Sequence, residues 1–261
     1  MGGMPRSARR NRACRVPRVV KHPELRRAEL LDCAQSLFLA RGYDNASLND
    51  IIAEAGVSKG AFYHYYPSKE ALLEALAERF ARQALAQVQD VLDDPGLDAL
   101  ARLNAFMARS RQKKIEDAAT QWALFEVLFR PENLVLFHRI NAAAGALFTP
   151  ALAKIVTQGV KEGTFHTFDP EGVADMLLQL GASTHSIVAR AIAAGGTDQM
   201  NEAIRALERR IRLYEVALDR ILGLPDGSVR LAEPGYVRTV MTARHPAGAA
   251  RKSVRKHRPK E

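Results

Sequence analysis

Residues 47–70, Ser-Leu-Asn-Asp-Ile-Ile-Ala-Glu-Ala-Gly-Val-Ser-Lys-Gly-Ala-Phe-Tyr-His-Tyr-Tyr-Pro-Ser-Lys-Glu, constrain this chain more than any other stretch. The Ser47 hydroxyl is placed to cap a helix, and Asp50 in the first turn suits the positive end of the helix dipole. Leu48, Ile51, Ile52 and Ala55 share one helical face. Gly56 ends that helix, because glycine enters the left-handed conformation without strain. Val57 fills the angle, Ser58 caps a second helix running from Lys59 to about Tyr65, and Pro67 stops it. Ser68 then caps a third, followed by Glu70 and the apolar run Ala71-Leu72-Leu73. Two short helices joined by a tight turn, the second with an aromatic and cationic edge, are how a protein lays one helix in the DNA major groove.

The pieces Ile52–Gly60, Phe62-Tyr63-His64-Tyr65-Tyr66 and Ser68–Leu73, preceded by Leu37–Tyr43, resemble the DNA-binding signature of the TetR family of transcriptional regulators. The match runs in order and without gaps. One departure is Ala61, where relatives often carry a hydroxyl residue, so a hydrogen bond to DNA found in some relatives is missing here. Lys59, Gly60, Ala61 and His64 occupy the start and outward face of the second helix and are expected at base edges. Gly60 and Ala61 are small enough for close backbone approach, and Ala61 could touch a thymine methyl. The resemblance implies that Ser47, Tyr63, Tyr65 and Lys69 hold phosphates, with Phe62 and Tyr66 as core aromatics.

Composition bounds the rest. A chain of 261 residues has ample core to fold without staples. Its two cysteines, Cys14 in a basic tail and Cys33 in an expected helix, argue against a structural disulfide and for a reducing cytoplasm. An uninterrupted run of about eighteen apolar residues would mark a membrane span, and none occurs. The basic N-terminus lacks the apolar stretch of a secretory signal. Residues 1–21 carry +7 and residues 225–261 carry +6, against +9 for the whole chain, so the body between them is mildly acidic. Like-charge runs with Pro and Gly cannot bury apolar surface, so both ends are expected to be disordered tails, passive or in contact with phosphates.

No strand-like alternation appears, and the chain reads as all-α. A first helix spans 24–41, and the three-helix DNA-binding domain covers 22–67. Further helices are expected at 68–92, 97–115, 120–129, 132–162 (with a break near Thr149-Pro150), 170–194 and 198–222, making 68–224 a helical ligand-binding and dimerisation domain. Its layout resembles the same family, notably Glu162-Gly163-Thr164-Phe165 before a helix from Asp169-Pro170. That family pairs its last two long helices with their copies. Independently, Ala203, Ile204, Leu207, Ile211, Tyr214, Leu218, Ile221 and Leu222 form an apolar stripe, as do Val173, Met176, Leu177, Leu180, Gly181, Thr184, Ile187 and Val188, where Gly181 and Ala182 would let helices approach closely. Either stripe could serve the chain's own core or a homodimer through 170–194 and 198–222.

For a small effector the aromatic-rich inner segments offer Phe106, Trp122, Phe125, Phe129, Phe137, His138 and His185, expected to line a large, mostly apolar pocket. Ordinary core packing is the competing reading for each. No catalytic motif and no metal-ligand spacing occurs among the seven histidines and two cysteines, so no cofactor or metal is expected. The sequence thus points to a homodimeric regulator bound to a palindromic double-stranded DNA operator and released by a small apolar ligand. The alternatives are the same fold without an effector, or an all-helical enzyme.

Overall fold

The computed structural model describes residues 22–194 and 197–242, with the side chains of all of these except 117–125 and 197. Among the described residues the secondary structure is helical throughout. The order is α1 (Pro23–Arg41), α2 (Leu48–Glu54), α3 (Lys59–Tyr65), α4 (Lys69–Ala86), α5 (Gln89–Asp93), α6 (Ala99–Leu128), a 3₁₀ turn (Pro131–Asn133), α7 (Leu134–Glu162), α8 (Pro170–Ala182), α9 (His185–Ala193), α10 (Thr197–Ile221) and α11 (Tyr236–Thr242).

Helix ends follow local chemistry where caps and breakers exist. Ser47 and Asp50 form a reciprocal capping box, and Ser58, Ser68 and Asp169 each accept a bond from a backbone N–H in the first turn. Gly56 closes α2 at φ +61°, a conformation that strains any residue with a Cβ.

Elsewhere tertiary context moved the boundaries. The segments 97–115 and 120–129 are one 30-residue helix, α6. No glycine or proline lies between Gly96 and Pro131, so the polar Glu116-Asp117 pair is no stop. The expected helix 68–92 breaks at Gln87-Val88, where Val88 turns into the core. Pro150 is carried inside an unbroken α7. Segment 170–194 splits at Ser183-Thr184, whose hydroxyls donate to the carbonyls of Leu180 and Gly181 and draw them from the helical ladder.

Three apolar clusters hold the chain. The first joins α1–α4 around Leu30, Phe38, Ile51, Phe62 and Leu72, and takes in Val127 of α6 and Leu136 of α7. The second packs the first half of α6 on α7, α8 and the end of α10 through Leu103, Phe106, Ile155, Val173 and Leu218. The third joins α9, the first half of α10 and α11. By length and composition alone Pro131–Glu162 matches a membrane span, so the expectation that no helix does needs correcting. Interspersed Arg139 and Asn141 had broken the apolar run in the sequence. In the fold this helix packs against α4, α6 and α8.

Two further corrections concern the C-terminal half. Residues 225–242, expected to be part of a disordered tail, are built into the body, with Val229, Val237 and Met241 buried. The charge pattern hid these spaced apolar residues. Leu207 and Leu218, offered as dimer contacts, are 8% and 0% exposed within a single protomer. The α10 stripe is covered by its own chain, including α11. The N-terminal segment 1–21 and residues 243–261 lie outside the described residues.

Candidate nucleic-acid interface

Helix α3 sorts its residues by face. Phe62 and Tyr66, four apart, are buried, and the Tyr66 hydroxyl donates to the Arg27 carbonyl at 3.4 Å while Arg27 lies over its ring. Burying two aromatics here fixes which residues must point outward. Lys59, Gly60, Tyr63 and His64 form the exposed face, with Tyr63 41% exposed; Ala61 and Tyr65 sit at its margins, half-buried. The Lys59 ammonium lies 6.0 Å from the Tyr63 ring centre. A Cβ added at Gly60 would meet nothing, so the fold's own packing does not require glycine there.

Ser47 lies exposed at the start of α2. Its hydroxyl donates to Asp50 Oδ2 at 2.6 Å and accepts from the Asp50 N–H at 3.1 Å. The Ser47 hydroxyl holds the Asp50 carboxyl below its usual range, with the Ser47 N–H adding to this. Beside it Arg41 pairs with Asp50 at 3.4 Å while half-exposed. From the sequence alone Arg41 reads only as the end of α1, because its nearness to α2 is tertiary.

Lys69 stands differently from its expected place on a phosphate. Its ammonium donates to the Tyr43 carbonyl and lies 4.1 Å from the Tyr43 ring centre. Burial depresses its pKa, and burial raises that of Tyr43 to about 12. Lys69 thus pins the α1–α2 loop; its position at the start of α4 was legible, its inward turn was not.

The DNA-binding helices are fastened to the rest at the α6–α7 corner. Arg130 pairs with Asp44 at 2.7 Å, and its guanidinium holds that carboxyl below its usual range. Arg139 reaches Glu74 at 2.9 Å. Immediately behind the corner, the His185 ring is buried against Phe129 (centroids 5.1 Å, stacked) and Phe137 (4.3 Å), with Nε2 3.3 Å from the Leu128 carbonyl oxygen.

The expected effector set therefore divides. Phe129, Phe137 and His185 come together. Phe106 packs edge-on against Phe148 in the second apolar cluster. His138 is exposed, because it neighbours the buried Phe137 and adjacent helical residues point about 100° apart. The side chains of Trp122 and Phe125 lie outside the described residues. Two surface depressions are lined by none of the described candidates: one of about 360 Å³ at Gln87, Asp90, Arg109 and Lys113, and one of about 500 Å³ along α7 at Pro150, Lys154 and Lys161.

A helix-turn-helix whose second helix bares a cationic, aromatic edge above a buried aromatic core defines a DNA-binding regulator. The model of bacterial regulatory proteins of the tetR family matches residues 30–76. The HTH-type transcriptional repressor KstR2 of Rhodococcus jostii (strain RHA1) is 27% identical over 146 residues, 54% of this chain and 69% of that protein. The match to KstR2 of Mycobacterium tuberculosis is 35% identical but spans about half of that relative's length, 46%. The HTH-type transcriptional regulator YfiR of Bacillus subtilis (strain 168) is 33% identical over 161 residues, 59% of this chain and 75% of YfiR. Among solved structures, RolR in complex with resorcinol shares the fold at TM-score 0.53 and 19% identity, covering 85% of this chain and 96% of RolR. A TetR-family regulator from Pectobacterium atrosepticum does so at TM-score 0.52 and 21% identity, covering 72% and 93%. The chain belongs to the TetR family of transcriptional regulators.

Proposed function

We propose that this protein is a sequence-specific DNA-binding repressor that acts as a homodimer in the cytoplasm, binds a palindromic operator and is released by a small, largely apolar ligand. The observation that carries the DNA reading is the exposed face Lys59, Gly60, Tyr63 and His64, held outward by buried Phe62 and Tyr66. Lys59, Gly60, Ala61 and His64 read base edges, while Tyr63, Tyr65 and Ser47 hold phosphates. Residues 22–70 are net −2, so these contacts work by placement, with help from the basic terminal segments. One recognition helix reads few base pairs, which favours a dimer on two half-sites. With Leu207 and Leu218 committed internally, the dimer reading moves to the bare face of α10 around Leu213, 59% exposed, and to exposed Gly181 on α8.

The repressor reading is supported by the KstR2 relatives. The effector reading is supported by the aromatic group at Phe129, Phe137 and His185, which lies directly behind the corner that grips the DNA-binding helices. A ligand there acts only by its differential affinity for two arrangements of that corner. The close packing of Phe106 on Phe148 favours a second reading, regulation by the same fold without a small ligand. The test is selection of bound sequences from random DNA, with and without a panel of small aromatic and apolar compounds. The proposal expects enrichment of one palindrome and its loss with at least one compound. No enriched sequence sinks the DNA reading; enrichment untouched by every compound favours the second reading.

A further inference from the structure

We propose that residues 225–242 form a clasp that fixes α6 against α10 and thereby sets the position of the DNA-binding helices relative to the C-terminal body. That the position matters for operator choice rests on the function proposed above; the clasp itself does not.

The segment runs antiparallel to α10 and alongside α6, and side chains of both helices bind its backbone. On α10, the Asp219 carboxylate accepts the Gly227 N–H at 2.6 Å and the Val229 N–H at 2.8 Å. One turn back, Glu215 Oε1 accepts from Leu231 at 2.8 Å and Ala232 at 3.3 Å, and further on Arg238 donates to Asn201 at 3.0 Å. On α6, Asn104 donates to the Ser228 carbonyl at 2.8 Å and accepts from the Arg230 N–H at 2.9 Å. Arg111 donates to the Arg230 carbonyl at 2.8 Å and pairs with Glu233 at 3.6 Å.

Asp219 is 0% exposed and Arg111 8%. With the segment in place both groups are buried, and its backbone supplies the partners that make their burial tolerable. Val229 enters the second apolar cluster, and Val237 and Met241 enter the third beside Ile187, Ala191 and Leu207.

The two fastened helices lead to different places. The 30 residues of α6 reach about 45 Å. The clasp grips its first half at Asn104 and Arg111, and Val127 near its other end sits in the core of the DNA-binding helices. A helix cannot slide past another while one backbone segment is bonded to side chains of both. Release of the clasp frees α6 to shift against α10 and carries the DNA-binding helices with it.

The experiment measures the distance within one chain between spin labels at Glu54 on α2 and Glu208 on α10, both exposed. Cys14 and Cys33 are replaced by Ser, and labelled protein is diluted into unlabelled protein so that only intrachain distances are read. No DNA is added, so failure here leaves the DNA reading untouched, and a protein without DNA affinity leaves the clasp testable. The intact chain is compared with Asp219→Asn and with the milder Asn104→Ala, and amide exchange over 225–242 reports release. Expected are exchange in the clasp accelerated about tenfold or more and a distance distribution broader and displaced from that of the intact chain. Accelerated exchange with an unchanged distribution overturns the proposal. Unaltered exchange in both variants overturns it equally, because those side chains would not be holding the segment.

Discussion

The DNA-binding helices and the C-terminal half are held together by bonds of different reach. In α1–α4 the helix starts are set by local caps, Ser47 with Asp50, Ser58 with Ala61 and Ser68 with Ala71, and one apolar cluster gathers the rest, with a few longer bonds such as Tyr66 to the Arg27 carbonyl. In the C-terminal half several shaping contacts join residues far apart in sequence, such as Asn104 with Arg230 and Arg111 with the Arg230 carbonyl. A region held by local caps can expose a polar working face without loosening. A region held by distant side chain–backbone bonds depends on each anchor for its arrangement.

Phe62→Ala tests the first half of that comparison most severely. Phe62 is 0% exposed, and its truncation should cost about 3–5 kcal/mol. Amide exchange should rise throughout α1–α3 while α10 keeps its protection. Equal loosening of both regions would show that they unfold as one.

Ser47→Ala removes the cap of α2 and should cost about 1 kcal/mol in urea unfolding, with Ser47→Gly milder. Loss of the cap should fray only α2, where exchange after quenching would reveal it; spread into α3 would show the turn to be less independent than its local bonds imply.

The smallest effect is alkaline. Burial holds Tyr43 at about 12 against its ordinary 10. The folded protein keeps this proton where the unfolded chain has lost it. The corresponding stability is present below pH 10 and is lost as pH rises toward 12. Tyr43→Phe should lack this loss, by a difference on the order of 1 kcal/mol after discounting for a ring that is half open to solvent. Between these limits the melting temperature of the intact protein should fall relative to that of Tyr43→Phe if the tyrosine is the cause; parallel curves would exclude it.

The same contrast explains what could be read from the amino acids alone. Ser47, Asp50, Gly56, Ser58 and Pro67 act within a turn of their own positions, so α2 and α3 were legible to the residue. The outward face of α3 followed from Phe62 and Tyr66 being inward. The inward turn of Lys69 was not legible because its partner, the Tyr43 carbonyl, lies across the fold. The clasp was illegible for the same reason: charge and proline marked 225–242 as a tail, and the side chains that satisfy its backbone, Asn104 and Arg111 on α6 and Glu215 and Asp219 on α10, belong to other elements. Which of the candidate effector residues would meet was not legible, because an aromatic on a helix does not declare which neighbour it will meet.

The central claim is that α3 reads bases through Lys59 and His64 while Tyr63 holds the backbone. The direct measurement is fluorescence anisotropy on the selected operator and on single-base variants of it, for the intact protein, Lys59→Ala, His64→Ala and Tyr63→Phe. Lys59→Ala and His64→Ala should each erase discrimination at particular base pairs, by about 1–3 kcal/mol. Tyr63→Phe should weaken all sequences alike. Lys59 and His64 variants that rank the operators as the intact protein does, or a Tyr63 variant that alters the ranking at unchanged affinity, would contradict it.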